Sequence, residues 1–337
     1  MPEVTHNPVT PLPRGSGIRE VARLAGVSIA TVSRVFNDAE LVNPETRQRV
    51  LERAATLGYE PSSLGRNLVR GRSDLLGLIV PNVSFPLYGE MISGIEDVLG
   101  QRGMSVLLAS SHDEAASELL AAQHLLRHTV DGGIVVNSQF DAALPAPRSM
   151  NWIYVSPEHV KFPNRVELDN GAGGRLAARE LLRVGRRHLA YIGAPGRESQ
   201  DRERGFTDEL CQAGLSYRRA GGDYSELSGT WAAEELLDNG AALDAIFVAG
   251  DLMAAGVLRA LHRRGLRMPE DVAVVGFDDS PLAALLYPRL TSIRQPAYAM
   301  GAAAAELSLR LIAGLSAEAE SVVFLPELVR RESTGPP

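Results

Sequence analysis

The chain has 337 residues, 45% of them hydrophobic and 22% charged, the balance of a globular protein of about two domains. That excludes wholesale disorder, and no apolar run approaches the ~18 residues of a membrane span. The N-terminal stretch MPEVTHNPVTPLPRGSG has no apolar segment of the secretory-signal kind, and Cys211, the one cysteine, fits a reducing cytoplasm and reads as a small core residue on a helix. The formal net charge of −7 is uneven: residues 1–72 hold ten arginines and seven acids, a net +3, and the other 265 residues carry −10. A basic head on an acidic body points to a polyanion met by the head alone.

Residues 1–16, with four prolines, read as a disordered arm. Ile18, Val21, Ala22 and Ala25 then fall at i, i+3, i+4 and i+7 of one helical face. Gly26 permits a left-handed turn, Val27 plugs inward, and Ser28 caps a second helix over Ile29 to Phe36. There Val32, Val35 and Phe36 face the core, leaving Ile29, Ala30, Ser33, Arg34 and Asn37 outward. A helix, a short glycine turn and a second helix make the helix-turn-helix pattern. A merely solvated face would favour Glu and Lys. This one is small and polar enough to enter a major groove, with Ile29 suited to a thymine methyl and Arg34 to a bidentate pair with guanine. A third helix starts at Asn43-Pro44, repeats Val50, Ala54 and Leu57, and stops at Gly58 with Tyr59 folding back.

The run GIREVARLAGVSIATVSRVFNDAELVNPETRQRVLERAATLGYEPSSLGRNL resembles the head of LacI/GalR-type bacterial transcriptional regulators, most specifically over residues 21–35, and the resemblance extends to about Arg331. It implies that Ile29, Ala30 and Arg34 read bases, and that Ser28, Thr31, Ser33 and Asn37 contact phosphates. Helix capping and hydroxyl–backbone bonding are the plainer roles for Ser28 and Thr31, and both can hold together. Gly17 stands where the family usually has a capping Thr. Residues 61–72 resemble the family's hinge helix, too short to hold alone in water and expected to fold when two copies meet over DNA. Leu68 would then wedge into a central base step; otherwise Leu64 and Leu68 are a stub of domain core. Gly65 replaces a usual Ala, at about 1 kcal/mol of helix propensity.

From about residue 73, apolar strand-like runs alternate with amphipathic helical stretches, the pattern of βαβ units and parallel sheets. Strands are predicted at Leu75–Val80, Ser105–Ala109, Gly133–Val136, Trp152–Val155, His188–Ile192, Ala245–Ala249 and Val272–Gly276. Helices are predicted at Leu87–Gln101, Glu114–His128, Ala172–Val184, Arg204–Ala213, Thr230–Asn239, Leu252–Arg264 and Ala297–Ala313. The resemblance implies an α/β fold: a three-helix helix-turn-helix head over 17–60, the hinge over 61–72, and a periplasmic-binding-protein-like body of two subdomains over 73–331, followed by a tail, 332–337.

In such sheets ligands bind beyond the carboxyl ends of the strands. The resemblance places Phe85, Tyr88, Arg202, Tyr224 and Asp278 there as effector-binding residues. Acceptor carboxylates, an arginine fork and flat aromatic faces suit a polyhydroxylated ring. The alternatives are rim packing for the two tyrosines and capping of the next helix for Asp278. Three departures stand out: Leu87 replaces an aromatic, Gly250 replaces an Asn that donates to effector hydroxyls, and Ser156-Pro157 lacks an acid.

Enzyme signatures are missing. The sole lysine, Lys161, precedes Phe162, so there is no phosphate-binding loop, and no nucleophile elbow occurs. Gly171-Ala172-Gly173-Gly174 lacks a dinucleotide turn's spacing and a good strand before it. His124 and His128 have no third metal ligand in view and read as a solvated helix face. No cofactor, metal or catalytic residue is expected. A sugar-binding transport receptor would share the body but not the head. The reading is a cytoplasmic, nucleoid-associated regulator, not an enzyme. It binds palindromic operator DNA as a homodimer, with no leucine heptad tail to make a tetramer, and is controlled by a small metabolite, a sugar or derivative. Activation or corepression is the alternative mode.

Overall fold

The computed structural model describes residues 17–37, 41–59, 72–140, 143–146, 150–158, 162–315 and 319–335. The chain divides into two compact units, Met1–Ser73 and Asp74–Pro337. The arm over 1–16 and the hinge positions Leu64, Gly65 and Leu68 lie outside the described residues.

In the first unit, α1 (Ile18–Ala25), α2 (Ile29–Asn37) and α3 (Pro44–Thr56) enclose a small core of Val21, Ala22, Ala25, Val32, Val35, Val50 and Ala54. Gly26 ends α1 at φ 67°, a conformation that costs glycine nothing, and lets Val27 donate its N–H to Ala22 O at 3.0 Å. Ser28 Oγ accepts the Thr31 N–H at 3.1 Å, capping α2. Asn43 Oδ1 accepts the Glu45 N–H at 2.9 Å ahead of Pro44. Arg49 Nε donates to Ala25 O at 3.0 Å, tying α3 to the negative end of α1. Tyr59 meets Phe36 edge-on, ring centroids 5.8 Å apart.

The second unit holds two six-stranded sheets. In the first, β1 (Leu75–Val80), β2 (Ser105–Ser110), β3 (Gly132–Val136), β4 (Trp152–Val155), β5 (Arg165–Leu168) and β11 (Ser321–Phe324) run parallel in the order β11-β5-β4-β3-β1-β2. Leu78 stands in register with both Leu108 and Ile134. In the second, β6 (Leu189–Gly193), β7 (Tyr217–Gly221), β8 (Ala245–Val248), β9 (Ala273–Asp278), β10 (Thr291–Arg294) and β12 (Glu327–Val329) lie in the order β12-β10-β9-β8-β6-β7. Only β12, among the described strands, is antiparallel to its neighbour.

The connecting helices are α4 (Pro86–Gly100), α5 (Ala115–Arg127), α6 (Asn170–Arg183), α7 (Arg197–Gln212), α8 (Glu226–Asp238), α9 (Asp251–Arg263), α10 (Pro281–Leu285) and α11 (Ala297–Ile312). The central strands β3, β4, β6 and β8 are buried throughout, as helices on both faces require. The chain passes between the sheets three times, after β5, after β10 and after β11.

Several expectations need correction. The charged run Arg197–Glu203 has no apolar periodicity, so the sequence pattern starts a helix only at Arg204; α7 begins at Arg197 and turns the polar Ser199 and Arg202 inward. Likewise α8 begins at Glu226, capped by Ser225 Oγ accepting the Ser228 N–H at 3.1 Å. Strands β5, β7, β10, β11 and β12 escape the sequence pattern: the first three are rich in polar residues, and the last two are short edge strands. A strand, β5, thus does precede Gly171. Gly174, however, lies against the Arg202 carbonyl, so that its small size serves helix packing of α6 on α7. Cys211 is exposed and not a core residue, because α7 buries Phe206 and Leu210 on its inward face and leaves Cys211 off it. Glu332 to Gly335 are no loose tail: Ser333 and Thr334 are buried, and the Val274 N–H donates to Ser333 O at 2.9 Å.

Candidate functional site

A cavity of about 470 Å³ opens in the second unit, where residues following strands of both sheets converge. From the first sheet come Asn82 and Phe85 after β1, Asn137 after β3, and Ser156 and Glu158 after β4. The second sheet and its helices add Glu198, Arg202, Tyr224 and Asp278, and Gln295 sits on the crossover after β10.

Pro86 opens α4 directly after Phe85. Within the first turn Tyr88 is buried, its ring tilted against Phe85 with centroids 5.8 Å apart. Its hydroxyl accepts from Asn137 Nδ2 at 3.0 Å. Burial, reinforced by Glu198, Asp113 and Asp278, pushes the phenol well above its ordinary pKa, so Tyr88 offers a neutral O–H. Across the cavity Tyr224 adopts φ 68° between β7 and α8, and burial likewise raises its phenol. Both tyrosines line the cavity wall.

Arg202, expected on a loop after β6, lies instead within α7, at 2% exposure. Nε donates to Asn170 Oδ1 at 2.8 Å and Nη1 to Ala249 O at 2.6 Å. The guanidinium stacks 3.7 Å over the Phe277 ring, and Glu198 Oε2 is 3.8 Å from Nη2.

Asp278 ends β9 at φ 109° and 6% exposure. It does not cap α10, whose N-cap is Ser280. Its Oδ1 accepts from Gln295 Nε2 at 2.6 Å. Asp251, buried at the start of α9, accepts from Ser292 Oγ at 2.6 Å and the Ser280 N–H at 2.7 Å. Burial raises both carboxyls above the usual range, and the charge of Asp278 adds to the shift at Asp251.

Arg197 ties the two halves together. Its N–H reaches Glu158 Oε2 at 2.8 Å, Nη2 donates to Pro157 O at 2.8 Å and to Glu167 Oε1 at 2.9 Å, and Nη1 to Asp201 Oδ2 at 3.3 Å. Glu158, the residue after Ser156-Pro157, thus brings a carboxylate to the cavity lining. Asn137, Glu158, Glu198 and Gln295 all escape the sequence reading. The strand-end rule reaches Asn137 and Glu158; Glu198 is hidden in the first turn of α7, which looks solvated, and Gln295 follows a strand that apolar spacing does not mark.

On the first unit Ser28, Ile29, Ala30 and Arg34 are exposed, and Thr31 and Ser33 half-buried, along α2. Ile29 is 46% exposed and takes no part in the unit's own core. Ser28 and Thr31 hydroxyls are 2.9 Å apart. Asn37 is the last residue of α2, and Leu68 falls outside the described residues.

Residues 17–62 match the bacterial regulatory proteins of the lacI family, and residues 178–334 a periplasmic binding protein-like domain. The HTH-type transcriptional regulator CelR of Thermobifida fusca is 36% identical over 93% of this chain and 96% of its own length. The chain belongs to the LacI family. It is accordingly a DNA-binding transcriptional regulator with a helix-turn-helix head, and not an enzyme. A solved complex of CelR with cellobiose aligns over 94% of this chain and 99% of that one, at 33% identity and TM-score 0.71. A lac repressor dimer bound to operator and the anti-inducer ONPF aligns over 96% and 100%, at 26% identity and TM-score 0.86. In this LacI-family chain the fold brings Phe85, Tyr88, Arg202, Tyr224 and Asp278 to one cavity. No described helix is long and apolar enough to cross a membrane.

Proposed function

We propose that this chain is a homodimeric, nucleoid-associated cytoplasmic repressor that binds palindromic operator DNA and releases it when a saccharide fills the cleft of the second unit. The observation that carries the reading is the cavity itself. Carboxylate, amide and phenol groups converge there from both sheets beside aromatic faces, the chemistry that holds ring hydroxyls and C–H faces together.

Phe85, Tyr88 and Tyr224 supply the faces, Asp278 accepts hydroxyl protons, and Arg202 fixes the wall behind them. On the head, Ile29, Ala30 and Arg34 meet base edges, while Ser28, Thr31, Ser33 and Asn37 hold phosphates. Leu68 is the proposed minor-groove wedge. Leu285, Tyr287 and Trp231, 80%, 94% and 60% exposed, are apolar surface on the second half that a partner copy would cover. The relative solved with cellobiose and the one solved as a dimer on operator support the same assignment.

The test is an operator-selection experiment followed by gel shift of the selected palindrome with and without neutral saccharides. The reading requires a two-fold symmetric site and its release by a saccharide. Selection of an asymmetric site, or indifference to every saccharide, would reject it.

A further inference from the structure

The charge balance of the cleft narrows the ligand beyond the saccharide reading, on which this step rests. Among the described lining residues, Asp113, Glu158, Glu198, Asp223 and Asp278 are carboxylates, and Arg202 is the only arginine or lysine. Such a pocket disfavours an anion. Arg202, the one counter-charge, is anchored by Nε to Asn170 Oδ1 and by Nη1 to Ala249 O, lies flat on Phe277, and has Glu198 Oε2 3.8 Å from Nη2 to offset its charge.

The N-termini of α7 and α8, which open beside the cavity, are also engaged by the chain's own oxygens. A helix N-terminus binds phosphate readily, but the Arg197 N–H that opens α7 is held by both oxygens of Glu158, at 3.0 and 2.8 Å. At the start of α8, the Ser225 N–H donates to Asp223 Oδ1 at 2.9 Å and the Ser228 N–H to Ser225 Oγ at 3.1 Å. A sugar phosphate or sugar acid would have to displace one of these internal acceptors against the remaining carboxylates.

Size points the same way. A cavity of about 470 Å³ exceeds what one pyranose ring fills and lies in the ordinary range of ligand sites.

We infer that the cleft takes an uncharged saccharide of more than one ring and rejects sugar phosphates and sugar acids. Hydroxyl groups would donate to Asp278, Glu198 and Asp113 without bringing charge, and the aromatic faces would hold the rings.

The experiment is isothermal titration calorimetry of the purified full-length protein. Its probes are cellobiose, maltose, trehalose, lactose and melibiose, then glucose, and then glucose 6-phosphate, trehalose 6-phosphate and cellobionate. At least one neutral disaccharide should bind, with glucose and every anion at least tenfold weaker. An anion or glucose that binds within tenfold of the best disaccharide overturns the inference and leaves the saccharide reading standing. Binding by none of the panel rejects both.

Discussion

Gln295 donates its side-chain amide to Oδ1 of Asp278 at 2.6 Å, joining a crossover between the two sheets to a carboxylate of the cavity wall. Gln295 lies between β10 of the second sheet and α11, which packs on β3 and β4 of the first. A ligand that binds Asp278 therefore meets a group already bonded to one of the chain passages about which the halves would move. Gln295→Ala should leave operator affinity within about twofold of wild type and reduce the change produced by saturating saccharide, whose ceiling is commonly about 1–3 kcal/mol. Operator titration with and without saccharide reads this directly. An unaltered saccharide response would show that the bond transmits nothing.

Arg202 behaves differently from Asp278. Removing its guanidinium leaves Asn170 Oδ1 and Ala249 O without their donors inside the fold. Arg202→Ala should therefore cost about 3 kcal/mol or more of stability, seen as a lower urea midpoint. Asp278→Asn should alter stability far less and abolish release by saccharide. Equal midpoints for Arg202→Ala and wild type would contradict the buried network.

The Asp251–Asp278 pair makes stability pH-dependent. Burial lifts the folded carboxyls to about 8 for Asp251 and about 6 for Asp278, from an ordinary value of 3.8. The folded chain then keeps protons that the unfolded chain has lost, so this contribution is fully present below about pH 4 and falls as pH rises through the raised values. Asp251→Asn should flatten the decline in melting temperature between about pH 5 and 8. Parallel profiles for the two proteins would exclude the pair as its source.

Arg197→Met removes the side-chain donors to Pro157 O, Glu167 and Asp201 while keeping the N–H held by Glu158. If closure of the cleft on saccharide releases operator, loosening this bridge should raise operator affinity and lower saccharide affinity. Linked titrations should show the variant retaining equal coupling factors in both directions. Saccharide affinity that rises in the variant would show that the bridge holds the cleft open.

On the head, Arg34→Ala should cost about 1–3 kcal/mol at one cognate base pair and relax discrimination there. Binding to a set of single-base operator variants measures it. An equal loss on cognate and random DNA would make Arg34 a phosphate contact.

Much of this was legible in the sequence because apolar spacing encodes it. The α1–Gly26–α2 turn, the buried strands β3 and β8, and the helix α11 follow directly from periodicity. What stayed hidden was the set of polar residues with structural roles. Ser199 and Arg202 face inward from a helix whose first turns look solvated, and β5, β7 and β10 carry arginines, glutamate or threonine where apolar residues mark a strand. Gln295 and Glu158 acquire meaning only once two distant stretches are brought together, since the partners that define them lie 17 and 39 residues away.

The central claim is that filling the cleft with an uncharged saccharide changes the head's affinity for its operator. The direct measurement is the operator dissociation constant of wild type and Asp278→Asn, each without ligand and with the best neutral disaccharide at saturation. Wild type should lose about 5–150-fold in operator affinity on saturation, and operator should weaken disaccharide binding by the same factor. Asp278→Asn should bind operator like wild type and show no loss. Wild-type operator affinity that is unchanged with the disaccharide demonstrably bound would contradict the account.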